Sequence, residues 1–472
     1  MSEELQRPNI LLIQSDQHRY DCVGRSRDYP VRTPHMDRLA EEGLWFSQAY
    51  TPIPLCCPAR QSLLNGRRPE AFGALWNYNG APPMQALQPD AYAWPRELGK
   101  AGYRNGFCGK WHVNPDHGPE AFGFDETVGQ AEYRAHIDQR YPGLTYTNGW
   151  FGERNPVELE DAYTHYLADR TIDMIERFTA EGKPWHLRLD FPDPHLPCRP
   201  SEPFASMYKP DEVPQWRSFD ERFEGKPYIQ KQQLYNWRVE DYTWQDWAPT
   251  VALYYGAISQ VDDAIGKVLS ALDRLGLAEN TIVIYTSDHG DMCGGHRMMD
   301  KHYIMYDDVV HVPFIIRWPQ RIQPGSVCDA FVYNLLDLPP TLLEAASLPV
   351  PEWFHGRTLM PILAGQAVSD WREEAVSTYN GQQFGLYSQR MLRTREWKYV
   401  WNLTDIDELY DLRNDPEELR NRIADPACEA VVADLRQRLE AELTRCGDAI
   451  INRWTRAQLL EQRQASILTA YE

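Results

Sequence analysis

The stretch Cys56-Cys57-Pro58-Ala59-Arg60, continued by Gln61-Ser62-Leu63-Leu64-Asn65-Gly66-Arg67, gathers reactive and charged residue types at close spacing. A thiol, a proline two positions on and an arginine two beyond that form a turn feeding a helix, read from the sequence as 60–64. The first turn of a helix presents unpaired N–H groups and positive potential, which favours an anion beside Cys56. A Cys-Pro turn with two buried thiols accounts for the five-residue pattern equally well. Elsewhere Asp16-Gln17, His195 and Asp288-His289 each come just after an apolar run. An aspartate there often only caps the next helix. Three such groups after three strands can instead converge on one site.

The apolar runs 9–14, 281–285 and 312–317 read as buried strands, and 186–191 reads as a further strand. Thr33-Pro34 opens a helix with Met36, Leu39 and Ala40 on one face and Gly43 as its stop. A long helix follows at 251–275. Strands alternating with helices predict an α/β fold, a large mostly parallel sheet sandwiched by helices. Ligands of such sheets bind beyond the carboxyl ends of the strands. Residues 1–370 read as the catalytic domain, with 199–250, rich in Pro, Trp and charge, as an insertion or lid. Residues 371–472 read as a smaller C-terminal α+β subdomain with a small antiparallel sheet. Its strands fall at 391–401 and 408–412, and Val431, Leu435, Leu439 and Leu443 mark its amphipathic helix. A polar helical tail, 454–471, closes the chain.

The C-x-P-x-R pattern, extended by Leu-Leu-x-Gly-Arg, resembles the sulfatase signature. The resemblance implies that Cys56 is oxidised after translation to formylglycine, whose hydrate is the nucleophile. Pro58 then fixes the turn and Arg60 holds the hydrate; Ala59 stands where many members have Ser. One hydroxyl attacks sulfur and the second, deprotonated, lets the adduct collapse and expel sulfate, so a difficult step is split in two. The resemblance also implies a divalent metal on Asp16, Gln17, Asp288, His289 and Cys56. Gln17 stands where many members have Asp, which removes one negative charge. Oxygen donors favour Ca²⁺ first, or Mg²⁺; His289 would also suit Mn²⁺ or Zn²⁺.

Gly109-Lys110-Trp111-His112 resembles a further motif of the family. By that likeness Lys110 and Lys301 neutralise the sulfate oxygens, and His112 holds or deprotonates the formylglycine hydroxyl. His195, with Lys301, protonates the leaving oxygen. Asn77, or equally Asn79, stands where related enzymes contact the anion. The runs 393–399, 408–412 and 414–417 resemble the family's small C-terminal sheet, and the implied fold is alkaline-phosphatase-like. The implied function is hydrolysis of a small sulfate ester, with a formylglycine-generating enzyme as maturation partner. An alternative is a phosphonate monoester or phosphodiester hydrolase of the same superfamily, but those enzymes lack the Gly-Lys-Trp-His motif. A non-catalytic anion-binding protein is the reading from another class.

Composition sets the outer bounds. The 472 residues are 43% hydrophobic and 25% charged, ordinary for a globular protein, with a net charge of −20. That charge argues against nucleic acid, anionic membranes and long polyanions as partners. It also means that any cationic pocket would stand out. The polar N-terminus and the shortness of the apolar runs predict no signal peptide and no membrane span. Nine scattered cysteines then read as reduced thiols in a cytoplasm. Trp150, Trp185, Trp216, Trp237, Trp244 and Trp247 form either a stacking wall for a substrate or a core of the insertion. The tail 451–472 predicts packing on a neighbouring subunit as a homo-oligomer.

A peptide mass map around Cys56, on protein made in a host carrying the modifying enzyme, should show an aldehyde oxygen in place of the thiol. A thiol at Cys56, in a host that converts a control sulfatase, would mean that the motif is not read.

Overall fold

The computed structural model describes residues 7–78, 84, 86–381, 383 and 385–461. In chain order its strands are β1 Asn9–Asp16, β2 Leu44–Phe46, β3 Ala49–Tyr50, β4 Arg104–Gly109, β5 Glu126–Val128, β6 Trp185–Pro194 and β7 Thr281–Ser287. They continue with β8 Phe314–Arg317, β9 Ser326–Cys328, β10 Val332–Tyr333, β11 Ala375–Gly381, β12 Tyr387–Arg393, β13 Trp397–Asn402 and β14 Glu408–Asp411. Eight of them form the main sheet in the order β5-β4-β6-β1-β7-β8-β2-β9. β1, β4, β5, β6 and β7 run parallel. β8 opposes β7 and β2, so the mostly parallel sheet is mixed toward that edge.

β1 lies at the centre, and every one of its residues is buried. Alternation along it serves two cores. Ile10 and Leu12 join the core that also holds Ile282, Ile284 and Phe314. Leu11 and Ile13 join the core under the helices Pro34–Glu41, Tyr163–Ala180 and Trp244–Arg274. A continuous apolar run was therefore the right signature of a strand covered on both faces.

The helix read at 251–275 starts earlier, at Trp244, inside the segment read as an insertion. Pro249 falls in its second turn, where the helix gives up one backbone hydrogen bond, and Asp246 closes a capping box with Thr243. The rest of 199–250 is three 3₁₀ turns and the helix Tyr228–Trp237. Trp185, Trp216 and Trp247 are wholly buried, and Trp216 receives Arg19 on its face at 4.1 Å. These three tryptophans are packing residues, and Trp150 is exposed.

β11 to β14 form a separate antiparallel meander. The segment read as 391–401 contains the β12–β13 turn. Val432, Leu435, Leu439 and Leu443 of the helix Glu429–Arg445 pack on Leu392, Tyr399, Trp401 and Leu409. Lys398 anchors the meander to the larger domain, 2.6 Å from both Asp307 and Glu418. In the tail, the helix Arg453–Leu460 buries Leu459 in that same core of its own chain; residues 462–472 lie outside the described residues. No described helix is long and apolar enough to cross a membrane. All nine cysteines are free thiols.

His186, buried in β6, carries a testable pH signature. Burial, then Arg188, pushes it from an ordinary 6.5 down to about 3. Below pH 6.5 the unfolded chain takes up a proton that the folded chain refuses, so this contribution is full above 6.5 and is lost as pH falls. Between pH 6.5 and 4.5 the loss of stability should be shallower in His186→Gln than in wild type, by up to about 1.4 kcal/mol per pH unit. Denaturant titrations at several pH values measure it; equal slopes would refute it.

Candidate active site

Five segments meet at the carboxyl end of the main sheet. β1 ends in Asp16, and Gln17 follows at φ 65°. β7 delivers Asp288 and His289 beside it, and β6 carries Arg188 and Asp190 before running on to His195. β4 ends at Gly109 and leads into Lys110 and His112. Gly109 has φ 117°, and a Cβ there would lie 1.9 Å from the Asp190 carbonyl oxygen, so no side chain fits where β4 turns into the site. The fifth segment is the helix Cys56–Asn65. It begins at Cys56, four residues before the start read from the sequence, because Pro58 sits in the first turn, where no N–H is required.

Arg60 organises the acids. Its guanidinium is fully buried and donates to Asp190 Oδ2 at 2.6 Å, to the Lys110 carbonyl at 2.9 Å and to Asp16 Oδ2 at 2.8 Å; it lies 3.1 Å from Asp288 Oδ2. Arg188 adds two bonds to Asp190, at 2.9 and 2.7 Å. Cys56 Sγ lies 3.3 Å from His289 Nε2 and 3.6 Å from Asp16 Oδ1. Burial and Asp16 push its thiol up, but Lys110, Lys301 and His289 outweigh them, and its pKa lies well below the usual range.

The ligand atoms of Asp16, Cys56, Asp288 and His289 all fall within 4.8 Å of one another, and all four residues are buried. Burial, then the charge of Asp16, pushes Asp288 up to about 7, and Asp288 Oδ2 is held by the Arg60 ion pair alone. His289 Nδ1 donates to the Gly290 carbonyl at 2.9 Å, which orients the ring with Nε2 facing Cys56. Crowded buried carboxylates and an oriented imidazole fit a divalent cation, whose charge would relieve their repulsion. Gln17 sits to one side of this cluster. Its Oε1 accepts from Lys301 Nζ at 2.6 Å, and its Nε2 donates to Asp291 at 2.5 Å and Asp300 at 3.2 Å.

The cations face the same point. Lys110 Nζ is 2.7 Å from Asp16 Oδ2, and Lys301 Nζ is 3.0 Å from Asp300 Oδ1. Lys301 Nζ also lies 3.2 Å from His195 Nε2, while His195 Nδ1 meets the Leu196 carbonyl at 2.6 Å. His112 takes φ 48°, its ring edge-on to Tyr78 and its Nδ1 buried without a partner. Asn77 accepts from the Cys57 N–H at 3.0 Å, in the first turn of the Cys56 helix. Asn79 lies outside the described residues. A cavity of about 850 Å³ opens beside Lys110, His112 and His195; among the described residues none of the six tryptophans singled out above lines it.

Arg188, Asp190 and Asp300 were missed as site residues. The first two left a signal, since charged side chains at alternate positions of a strand buried on both faces must be paired. Asp300 left none beyond its position next to Lys301.

Comparison with known proteins follows the geometry. The sulfatase family model matches residues 8–348, and a second, described as N-sulphoglucosamine sulphohydrolase, C-terminal, matches 294–445. An arylsulfatase of Clostridium perfringens is 30% identical across 93% of this chain and 94% of that protein. The structure of a phosphonate monoester hydrolase from Agrobacterium radiobacter superposes with a TM-score of 0.81 at 25% identity, covering 93% of this chain and 96% of that one. A structure solved with its substrate D-glucosamine-2-N,6-O-disulfate has the same fold, with a TM-score of 0.79 at 24% identity over 94% of this chain and 99% of that one. With a family model spanning the whole main sheet and a relative matched along nearly its full length, the chain belongs to the sulfatase family and is a sulfuric ester hydrolase.

Proposed function

We propose that the chain hydrolyses a small sulfate ester with a nucleophile made from Cys56, oxidised to formylglycine, beside one divalent cation. The observation that carries this reading is the buried convergence of Asp16, Cys56, Asp288 and His289 within 4.8 Å, flanked by Lys110 and Lys301. Asp16, Asp288 and His289 would hold the cation together with residue 56, whereas Gln17, expected from the sequence as a ligand, engages Lys301 with its side-chain oxygen. Ca²⁺ suits a donor set dominated by carboxylates, and Mg²⁺, Mn²⁺ and Zn²⁺ are the alternatives. The modified Cys56 would supply a hydrated aldehyde as nucleophile, and the cation would supply positive charge at the sulfate oxygens.

The chain's own side chains do the rest. Arg60 locks Asp16, Asp190 and Asp288 in one arrangement, so the ligands are preorganised. Lys110 and Lys301 meet the oxygens whose charge grows as the ester bond breaks. Burial holds His112 below its ordinary pKa, which keeps it neutral and able to take a proton from residue 56. His195 Nε2 and Lys301 Nζ, 3.2 Å apart, form the pair that gives a proton to the leaving oxygen. Lys110 and His112 support sulfate over phosphonate, and the likeness to a phosphonate monoester hydrolase makes a phenylphosphonate ester the comparison substrate.

Lys301→Ala should lower kcat at least about 100-fold, because it removes charge made useful only as the transition state forms. Its melting temperature should move by only a few degrees, which separates chemistry from folding. A kcat within about threefold of wild type would sink the assignment. Elemental analysis should find one divalent cation per chain in wild type and none in Asp288→Asn, which should also lose turnover. Normal metal content and normal turnover in that variant would overturn the metal assignment.

A further inference from the structure

The cavity beside the site holds polar groups that the reaction does not use. Tyr133, Tyr163, Asp193 and Arg199 line it together with Lys110, His112 and His195. Tyr163 stacks on Tyr133, ring centroids 4.1 Å apart and 12° from parallel, yet its hydroxyl is buried with no hydrogen-bond partner. Arg199 lies 4.0 Å over the ring of Tyr146, and its Nε is also buried without a partner. The Asp193 carboxylate meets no other described side chain in a hydrogen bond or ion pair. Burial, then the charge of Asp16, pushes it up to about 7. Asp193 and Arg199 thus face one cavity without closing on each other.

Three uncompensated groups of different kinds, an acceptor, a donor and a hydroxyl that does both, describe the missing occupant. A bare aromatic ring would return no hydrogen bond to any of the three. Hydroxyls both donate and accept, so several on one ring can serve a carboxylate, a guanidinium and a phenol together. The stacked tyrosines offer an apolar face to the C–H surface of a saturated ring. We propose that Asp193, Arg199 and Tyr163 form a leaving-group subsite that selects the sulfate ester of a hydroxyl-rich saturated ring, such as a hexose monosulfate, over a bare aryl sulfate. This rests on the reading that Lys110, His112 and His195 hold the sulfate end of the same substrate.

The test compares hexose monosulfates esterified at O2, O3, O4 or O6 with 4-nitrophenyl sulfate and tyrosine O-sulfate, on metal-loaded full-length protein whose aldehyde at residue 56 has been confirmed. Wild type should show its lowest KM with one of the hexose esters. In Tyr163→Phe, and independently in Asp193→Asn, the ratio of kcat/KM for that ester to kcat/KM for 4-nitrophenyl sulfate should fall about tenfold, chiefly through KM. Tyr163→Phe removes one oxygen and keeps the stacked ring, so it reports even if Asp193→Asn folds poorly. A ratio within twofold of wild type in Tyr163→Phe overturns the subsite. A lowest KM with tyrosine O-sulfate, whose ammonium and carboxylate would meet Asp193 and Arg199 as charges, overturns the choice of ligand. Wild type that cleaves 4-nitrophenyl sulfate but no hexose ester overturns the subsite and leaves the hydrolase reading standing. Wild type that cleaves none of the esters overturns that reading and the subsite with it.

Discussion

One buried guanidinium carries the site. Arg60 reaches Asp16 on β1, Asp190 on β6 and Asp288 at the end of β7, and it also binds the Lys110 carbonyl after β4. Four neighbouring strands of the sheet are thereby tied to the helix that bears Cys56. Three carboxylates without it would face one another in a medium that solvates none of them, and breaking such a buried cluster costs on the order of 3–5 kcal/mol. Arg188, paired with Asp190, shares the load. The interaction is expensive to assemble, and its return is geometric: every acid ends at a fixed distance from the Cys56 sulfur.

A second polar network joins the site to the outer cation. Gln17 turns its amide away from the four-residue cluster to bridge Asp291, Asp300 and Lys301. Lys301 is thereby held at His195 by an amide oxygen and a carboxylate. A neutral glutamine suits this place: its oxygen accepts from the lysine while its nitrogen donates to two aspartates, which no carboxylate can do. The two networks explain how a chain of net charge −20 presents lysines to an anion. The acids that outnumber them at the site are neutralised in pairs.

The C-terminal meander is docked by the same chemistry. Lys398 is buried between Asp307 and Glu418, and Arg390 holds Asp448 at 2.5 Å. Buried ion pairs add less stability than well-packed apolar residues of similar size, but they tolerate fewer alternative positions.

Much of this was legible in the order of residues. Continuous apolar runs gave β1, β7 and β8 because both faces of those strands are covered. Polar residues directly after those runs marked the site because parallel strands deliver their carboxyl ends to one edge. The C-x-P-x-R and Gly-Lys-Trp-His patterns pointed to the family because each places a reactive or cationic group at a forced turn. Other features depended on contacts between distant segments. The helix at Cys56 began earlier than its periodicity suggested, since Pro58 is harmless in a first turn but reads as a break. Arg188 and Asp190 look like intrusions in a strand until Arg60 arrives from 130 residues away to pair with Asp190. Gln17 faces Lys301 across 284 residues, and Asp193 and Arg199 share a cavity with Lys110 and Tyr163 from other segments. Local sequence encodes backbone preference and burial; the partner of a buried charge is set by where the chain returns.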